Sequence, residues 1–153
     1  MTVQAKPESY HSVTPYLTVD NAAEAIRFYE RAFGASEIMR LPMGDMIGHA
    51  EIRVGHSVVM LSDEWPEMDK LSPTNRGGAT AGLMVYLEDV DAAYQRALDA
   101  GEQPVTDQFW GDRSGSVKDP FGVTWMLATH VEDVSEEEMG RRMAERSKQM
   151  EVA

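Results

Sequence analysis

The alternation of apolar and polar residues near the N terminus predicts a strand followed by a helix. Residues 13–19 alternate with a period of two, which is typical of a half-buried strand. Over residues 22–33 the apolar side chains recur every three or four positions, so this segment predicts an amphipathic helix. Asp20 or Asn21 is suited to cap its start, and Gly34 ends it.

Three further strands are predicted after this helix, and a similar order then returns. The first three lie at residues 37–41, 48–54 and 57–62, with a tight turn at Gly55 and His56 between the last two. The second half predicts a strand, a helix ended by Gly101 and two more strands. These segments span residues 83–87, 90–100, 104–110 and 123–128.

Corresponding residues in the two halves indicate an internal duplication. Tyr16 and Tyr86 each lie in a strand that precedes a helix, and residues 58–61 match residues 124–127 in sequence and position. We therefore predict one domain made of two modules. Its parts are an N-terminal segment at 1–11, module one at 12–63, a linker at 64–81, module two at 82–130 and a C-terminal helix or tail at 131–153.

The two polar segments outside the modules leave alternatives open. The long stretch 63–81 carries glycines and prolines that suit a lid as well as a passive linker. Residues 135–150 begin with Ser135 and Glu138 at capping-box spacing, which predicts a helix. A thin methionine stripe on this helix fits packing on its own domain or a dimer mate, a loose tail, or binding of a partner.

Composition excludes several classes of protein. The chain has 153 residues and no cysteine, so disulfides, thiolate nucleophiles and cysteine zinc sites are excluded, and a single domain is expected. No segment is long and apolar enough for a membrane span or a signal peptide, so we expect a cytoplasmic protein. The net charge of −12 makes nucleic acid and anionic membranes poor partners and favours cationic ligands.

Two motifs within the repeat point to a family. The first helix contains Phe-Tyr-Glu-Arg-Ala-Phe-Gly at residues 28–34, and an Asp-Pro-Phe-Gly turn at 119–122 precedes the last strand. With the repeat, they make residues 12–130 resemble the vicinal oxygen chelate superfamily, the glyoxalase and bleomycin-resistance group, and most closely its PhnB-like branch. The resemblance implies an α+β fold of two βαβββ modules in a cup-shaped, eight-stranded mixed sheet. It also implies a homodimer with a ligand or metal inside the cup.

The resemblance also implies where a metal would be bound, and this chain departs from the pattern there. Enzymes of the superfamily hold a divalent ion through His and Glu side chains at positions that correspond to Thr14, Met60, Gly82 and Met126. A neutral hydroxyl, a glycine and two thioethers are poor ligands for hard or borderline cations. We therefore expect no metal or other cofactor, which puts glyoxalase and dioxygenase chemistry in doubt.

Strand alternation predicts which side chains line the concave face. Leu17, Leu61 and Trp125 belong to the face under the helices, so the side chains at alternate positions face the other way. The face opposite the helices carries Thr14, Tyr16, Met60, Met84, Tyr86 and Met126. Methionine adapts to irregular ligands, and tyrosine offers a ring face and a hydroxyl. The alternative is that these side chains fill a closed core.

His49 and Glu51 are the clearest polar pair on a predicted strand. They lie two residues apart and so share a face with Arg53. His-x-Glu can supply two metal ligands, an acid–base pair or polar contacts to a ligand, and it can also be purely structural. Nothing in the sequence brings His11 or His130 near this pair.

Trp110 and Arg113 are further candidates because similar segments lie near the mouth of the cup in the PhnB-like branch. By that resemblance Trp110 would stack on a ligand and Arg113 would bind its carboxylate or phosphate. Otherwise Asp112 and Arg113 fix the loop and Trp110 packs against it.

These observations favour a metal-independent homodimer that binds or sequesters an apolar or aromatic organic molecule, cationic ones included. The alternative is an enzyme of the same fold, of lyase, isomerase or dioxygenase type, with an off-position metal or an acid–base pair at His49 and Glu51. A third hypothesis is an interaction module that acts through the last helix. No catalytic residue is assigned. The predicted ligand-binding residues are Thr14, Tyr16, His49, Glu51, Met60, Met84, Tyr86, Trp110, Arg113 and Met126.

Overall fold

The computed structural model describes residues 3–98 and 101–152. It contains eight strands, four α-helices and one short 3-10 helix in these residues. In chain order they are β1 (Tyr16–Val19), α1 (Ala22–Phe33), β2 (Ser36–Met43), β3 (Met46–Val54), β4 (Ser57–Asp63), the 3-10 helix (Pro66–Met68), α2 (Pro73–Arg76), β5 (Gly82–Tyr86), α3 (Val90–Arg96), β6 (Gly101–Asp107), β7 (Asp112–Lys118), β8 (Thr124–His130) and α4 (Glu136–Val152).

The strands form two four-stranded sheets with the same internal order, which confirms the predicted fold of two βαβββ modules. The first sheet has the order β1-β4-β3-β2, and the second has the order β5-β8-β7-β6. In the first sheet β1 pairs with β4 in parallel, whereas β3 is antiparallel to both β4 and β2. A first strand therefore lies at an edge of each sheet, beside the last strand of its own module.

Contacts group the described chain into two compact units that differ slightly from the predicted modules. The first contains residues 3–82 with residues 118–124, and the second contains the remainder. The Asp-Pro-Phe-Gly turn of module two thus belongs to the first unit. Asp119 accepts hydrogen bonds there from the Tyr29 hydroxyl at 2.6 Å and from the backbone N–H groups of Phe121 and Val123.

Helix α1 follows its sequence pattern closely. The Asn21 side chain accepts a hydrogen bond from the Glu24 backbone N–H at 3.1 Å, which caps the helix. Gly34 ends it with a φ of 67°, a conformation that glycine adopts without steric cost. Ile26 and Tyr29 are fully buried on the inner face of the helix, where each large apolar side chain contributes roughly 2 kcal/mol.

Strand β7 was missing from the sequence-based prediction, which was wrong in this region. Its central residues are small or polar, so the segment lacks the usual strand signal, yet Ser114, Gly115 and Ser116 are buried. A Cβ at Gly115 would lie 2.7 Å from the Gln103 carbonyl oxygen, so glycine permits the close approach of β6. Strand β6 correspondingly begins and ends three residues before the predicted segment 104–110.

The second helix and the linker also differ from the prediction. Helix α3 ends at Arg96 rather than near residue 100, and Ala100 lies outside the described residues. The linker contains the 3-10 helix and α2, and backbone hydrogen bonds in both directions between Trp65 and Lys70 close its first loop. Whether the linker acts as a lid stays an open prediction.

Helix α4 lies on the surface and is attached by polar contacts. The Ser135 side chain caps it by accepting a hydrogen bond from the Glu138 backbone N–H at 3.2 Å, as the capping-box spacing predicts. Arg142 donates hydrogen bonds to Glu132 and Glu138 and to the Phe109 carbonyl oxygen. Among the described residues no helix has both the length and the apolar character that a membrane span requires.

Candidate functional site

The exposed face of the first sheet carries a row of predicted ligand-binding residues. Tyr16 pairs with Met60 across the β1–β4 ladder, and Met60 pairs with Glu51 across the β4–β3 ladder. Directly paired residues point to the same face, so these three side chains are neighbours. Tyr16 is 46% exposed, whereas Leu61, next to Met60 in the strand, is fully buried on the opposite face.

A continuous chain of hydrogen bonds crosses this face. The Tyr10 hydroxyl donates to Glu51 Oε2 at 2.6 Å, Glu51 Oε1 lies 3.1 Å from His49 Nε2, and His49 Nδ1 lies 2.9 Å from the Tyr16 hydroxyl. Glu51 is only 5% exposed. It contacts Tyr10 and His49 directly, and it is connected to Tyr16 through His49. The structure therefore joins Tyr16 to the predicted pair of His49 and Glu51, and adds Tyr10.

The hydrogen bonds determine the charge on Glu51. The bond from Tyr10 lowers the pKa of this carboxyl, burial opposes that effect, and the contact with His49 lowers the pKa further. Glu51 is thus a carboxylate at neutral pH and accepts the proton on His49 Nε2. When the imidazole is neutral, its Nδ1 then carries the lone pair that accepts the Tyr16 hydroxyl. The same carboxylate raises the pKa of Tyr10.

An open groove of about 580 Å³ runs beside this row. Two predicted site residues, Thr14 and Met60, line it. The other lining residues are Ser12 at the start of module one and five residues of the N-terminal segment: Ala5, Lys6, Pro7, Tyr10 and His11. Sequence reasoning did not include this segment in the site, since the contact of Tyr10 with Glu51 spans 41 residues and leaves no local pattern.

A lysine from the linker contacts the exposed tyrosine of the first sheet. Lys70 Nζ lies 5.7 Å from the centroid of the Tyr16 ring, within cation–π range. The hydrogen bonds between Trp65 and Lys70, at 2.8 and 3.1 Å, hold the backbone of Lys70 in place.

The second sheet presents a comparable exposed face. Met84 and Tyr86 alternate with the half-buried Leu83 and Val85 along β5, and Met126 is exposed on β8. Tyr86 is 60% exposed, compared with 46% for Tyr16 on the exposed face of the first sheet. The predicted alternation therefore holds in both sheets.

A buried carboxylate anchors the tyrosine of the second sheet. Asp112 is 3% exposed and accepts hydrogen bonds from the Tyr86 hydroxyl at 2.9 Å, Trp110 Nε1 at 3.0 Å and His130 Nδ1 at 2.8 Å. Burial works against its charge, but the bonds from His130, Tyr86 and Trp110 outweigh it and lower the pKa of Asp112. Asp112 raises the pKa of Tyr86 in turn.

Arg113 and Trp110 occupy different surroundings. The Arg113 guanidinium donates to Asp91 at 2.7 and 2.8 Å and to Asp107 at 3.0 Å, and these carboxylates raise its pKa. Trp110 is half-buried, with its N–H on Asp112. These contacts agree with the alternative in which this segment fixes the loop, and binding of a ligand by either residue stays a prediction.

The four positions that the resemblance associates with metal binding do not fit a divalent ion. Thr14 offers a hydroxyl, Met60 and Met126 offer thioethers, and Gly82 offers no side chain and lies against Thr124. Within residues 3–98 and 101–152, no group of three or more His, Asp or Glu side chains has the arrangement of a metal site.

A family model and a related protein each match most of the chain. A family model described as the Glyoxalase/Bleomycin resistance protein/Dioxygenase superfamily matches residues 10–127. An uncharacterized Mycobacterium bovis protein is 41% identical over 151 residues, which cover 94% of this chain and 97% of that protein.

Two solved structures resemble the chain. TioX from Micromonospora sp. ML1 is 28% identical, with a TM-score of 0.62 over 79% of this chain and 99% of TioX. A bleomycin-binding protein complexed with bleomycin is 19% identical, with a TM-score of 0.55 over 78% of this chain and 98% of its own. At that identity the second likeness concerns the fold alone.

Proposed function

Because the chain belongs to the glyoxalase/bleomycin resistance protein/dioxygenase superfamily, we propose that it is a metal-independent protein that binds a small organic molecule. The observation that carries the proposal is the groove beside Met60 and Thr14. Where the family pattern would place metal ligands, these two positions instead offer a thioether and a hydroxyl beside an open volume. Such a surface suits an apolar or aromatic ligand with one or two polar groups.

The lining of the groove supports this ligand class. Met60 supplies a deformable apolar surface, while Tyr10 and Tyr16 lie next to it and combine ring faces with hydroxyls. Glu51 and the net charge of −12 favour neutral and cationic molecules over anions. The similar fold of a bleomycin-binding protein, solved in complex with bleomycin, supports the proposal that a fold of this kind holds an organic ligand.

A neutral solvatochromic dye tests the proposal directly. We expect Nile red to gain fluorescence on the wild-type protein and to bind Met60→Gln about fivefold more weakly, since a polar amide replaces roughly 1 kcal/mol of apolar contact. The matched control is Met143→Gln on α4, the same change at an exposed site outside the groove, which should bind the dye as the wild type does. Equal affinities of the wild type and Met60→Gln would refute the assignment of the groove.

Metal analysis tests the other half of the proposal. Protein purified without chelator, incubated with excess Zn²⁺, Ni²⁺ or Mn²⁺ and then dialysed, should retain far less than one ion per chain. About one tightly held ion per chain would overturn metal independence, whatever the dye result.

The hydrogen-bonded chain across the first sheet favours a second candidate function, acid–base catalysis on a bound ligand. Glu51 orients His49 through the contact with Nε2, and His49 Nδ1 lies 2.9 Å from the exposed Tyr16 hydroxyl, within reach of its proton. Glu51, His49 and Tyr16 are therefore hydrogen-bonded in the order of a carboxylate, a base and a proton donor.

Turnover of bound compounds separates the two functions. Compounds that displace the dye are incubated with the protein and followed by mass spectrometry. Conversion that is lost in His49→Ala and in Glu51→Gln, while both variants remain folded and bind the dye, would establish the enzyme. Unchanged compounds throughout, or conversion that survives both substitutions, would exclude this role for the pair.

A further inference from the structure

One cation already occupies a tyrosine face in this molecule. Lys70 Nζ lies 5.7 Å from the Tyr16 ring centroid, and within the described residues it forms no ion pair with a carboxylate. In a chain with 26 acidic side chains, a lysine that contacts a ring rather than a carboxylate indicates that this ring face attracts cations. The closed loop between Trp65 and Lys70 presents the ammonium group to that face.

The second sheet carries its own exposed tyrosine, although at a different register position, since Tyr16 begins β1 and Tyr86 ends β5. Tyr16 and Tyr86 each lie on the first strand of their sheet, beside the last strand of the same module. Tyr86 is 60% exposed against 46% for Tyr16. In the part of the chain that the structure describes, Lys and Arg side chains lie over the rings of Phe28, Tyr16 and Phe109 but not over Tyr86.

The hydroxyl contact of Tyr86 makes its ring face a better site for a cation. Donation to the Asp112 carboxylate at 2.9 Å shifts electron density toward the phenol ring, which strengthens the negative potential on its face. Trp110 and His130 hold the same carboxylate, so the ring is fixed by its hydroxyl before any ligand arrives. A fixed platform loses little conformational entropy on binding.

We propose that the exposed face of Tyr86 binds the cationic group of an organic ligand, such as a quaternary ammonium, and that Lys70 occupies the Tyr16 face of the first sheet as an intramolecular substitute. This assignment rests on the proposed small-molecule binding function and specifies its ligand as an organic cation. It also makes the two tyrosines unequal, with one face available to a ligand and the other already covered.

Choline and 3,3-dimethyl-1-butanol form the pair of probes, because they have the same shape and differ in the positive charge. In NMR titrations of ¹⁵N-labelled protein, choline should shift the backbone amides around Tyr86 saturably. It should bind about two- to fivefold more tightly than the neutral alcohol, the range typical of an exposed cation–π contact. Equal affinities would show that the face recognises apolar shape alone and would overturn the proposal.

Two substitutions test the residues. Tyr86→Leu keeps the apolar character of the position and should abolish the preference for choline, and Tyr86→Phe should keep part of it because the ring remains. Lys70→Gln should uncover Tyr16 and add a second set of saturable shifts, around Tyr16 on β1. Retention of the choline preference in Tyr86→Leu would refute the site, and a Lys70→Gln protein that gains no shifts near Tyr16 would refute the role of Lys70.

The same variants distinguish failure of this inference from failure of the proposed function. If choline and the alcohol bind equally while Nile red still binds the wild type and is weakened by Met60→Gln, the cation site is wrong and the binding function stands. If Nile red fails to bind, while choline binds with the expected preference, the groove assignment is wrong and the Tyr86 site stands.

Discussion

The two modules place the same kinds of side chain on their exposed faces but connect them differently. In module one a histidine lies between the carboxylate and the first-strand tyrosine, so His49 contacts both Glu51 and Tyr16. In module two the carboxylate is central, and Asp112 accepts hydrogen bonds from Tyr86, Trp110 and His130. The first arrangement leaves a path for a proton toward an exposed hydroxyl, whereas the second holds the ring and its loop in place.

The two networks are therefore suited to separate tasks, a proton path in module one and the positioning of a ring in module two. In the chain of module one, the loss of one contact leaves the other hydrogen bonds in place. Removal of a central carboxylate leaves all three of its donors without an acceptor. We therefore expect module one to tolerate substitution at its network better than module two.

The largest expected effect comes from Gly111, which immediately precedes β7 of module two. It has a φ of 102°, and a Cβ there would lie 2.0 Å from the Glu132 carbonyl oxygen. Gly111→Ala should therefore lower the free energy of unfolding by about 3 kcal/mol. Gly55→Ala in the β3–β4 turn of module one is the control, since it has a positive φ but open space and should cost about 1 kcal/mol. Urea denaturation measures both, and equal losses would contradict the structural difference.

The next effect compares the two buried carboxylates. Asp112→Ala removes the acceptor of three side-chain donors and should cost about 2–3 kcal/mol. Glu51→Ala removes the acceptor of Tyr10 and His49 and should cost about 1–2 kcal/mol. Chemical denaturation of both variants gives the ranking. A larger loss for Glu51→Ala would reverse the comparison.

A smaller effect concerns α4, which has no counterpart in module one. Arg142→Ala removes contacts with Glu132 and with the Phe109 carbonyl oxygen, so the helix would lose its tie to the rest of the second unit and Tm should fall measurably. Arg141→Ala is the matched control, because its partners Glu138 and Glu145 lie on the same helix, and such exposed pairs contribute little. Equal Tm values for the two variants would show that α4 is not anchored through Arg142.

The smallest expected effect is a pH dependence in module two. His130 lies between Asp133 and Asp112, and these two carboxylates raise its pKa above the ordinary 6.5. A raised pKa stabilises the fold fully below the pKa of the unfolded chain, and this contribution is lost as pH rises through the higher pKa of the folded state. The Tm difference between the wild type and His130→Gln should therefore shrink as pH rises from about 6 toward 9. A difference that grows with pH would contradict the sign.

Local signals explain which parts of the fold the sequence predicted. Helix α1 has both its cap at Asn21 and its stop at Gly34 in the sequence, and its boundaries agree with the prediction. The exposed faces followed from strand alternation, because Tyr16 and Tyr86 sit at alternate positions from buried or half-buried aliphatics. The short contact of His49 with Glu51 likewise follows from their spacing of two residues on one strand.

The parts that escaped prediction depend on contacts between residues distant in sequence. Strand β7 is built from small polar residues whose burial comes from neighbouring strands, so no periodicity marks it. Tyr10 reaches Glu51 from a segment without strand or helix signals. The ion pair of Arg113 with Asp91, 22 residues earlier, likewise leaves no local signal in the sequence, and binding of a ligand anion by Arg113 stays a prediction.

The Asp119 turn has a consequence for the evolution and engineering of this chain. Because residues 118–124 pack with the first unit, a polypeptide ended after Gly82 would lack the acceptor for the Tyr29 hydroxyl and the ring of Phe121 that packs against Phe28. Module one thus depends on a peptide encoded in module two. Split expression as two fragments would yield a folded product only on reassociation, and circular permutants should keep 118–124 continuous with their flanking strands.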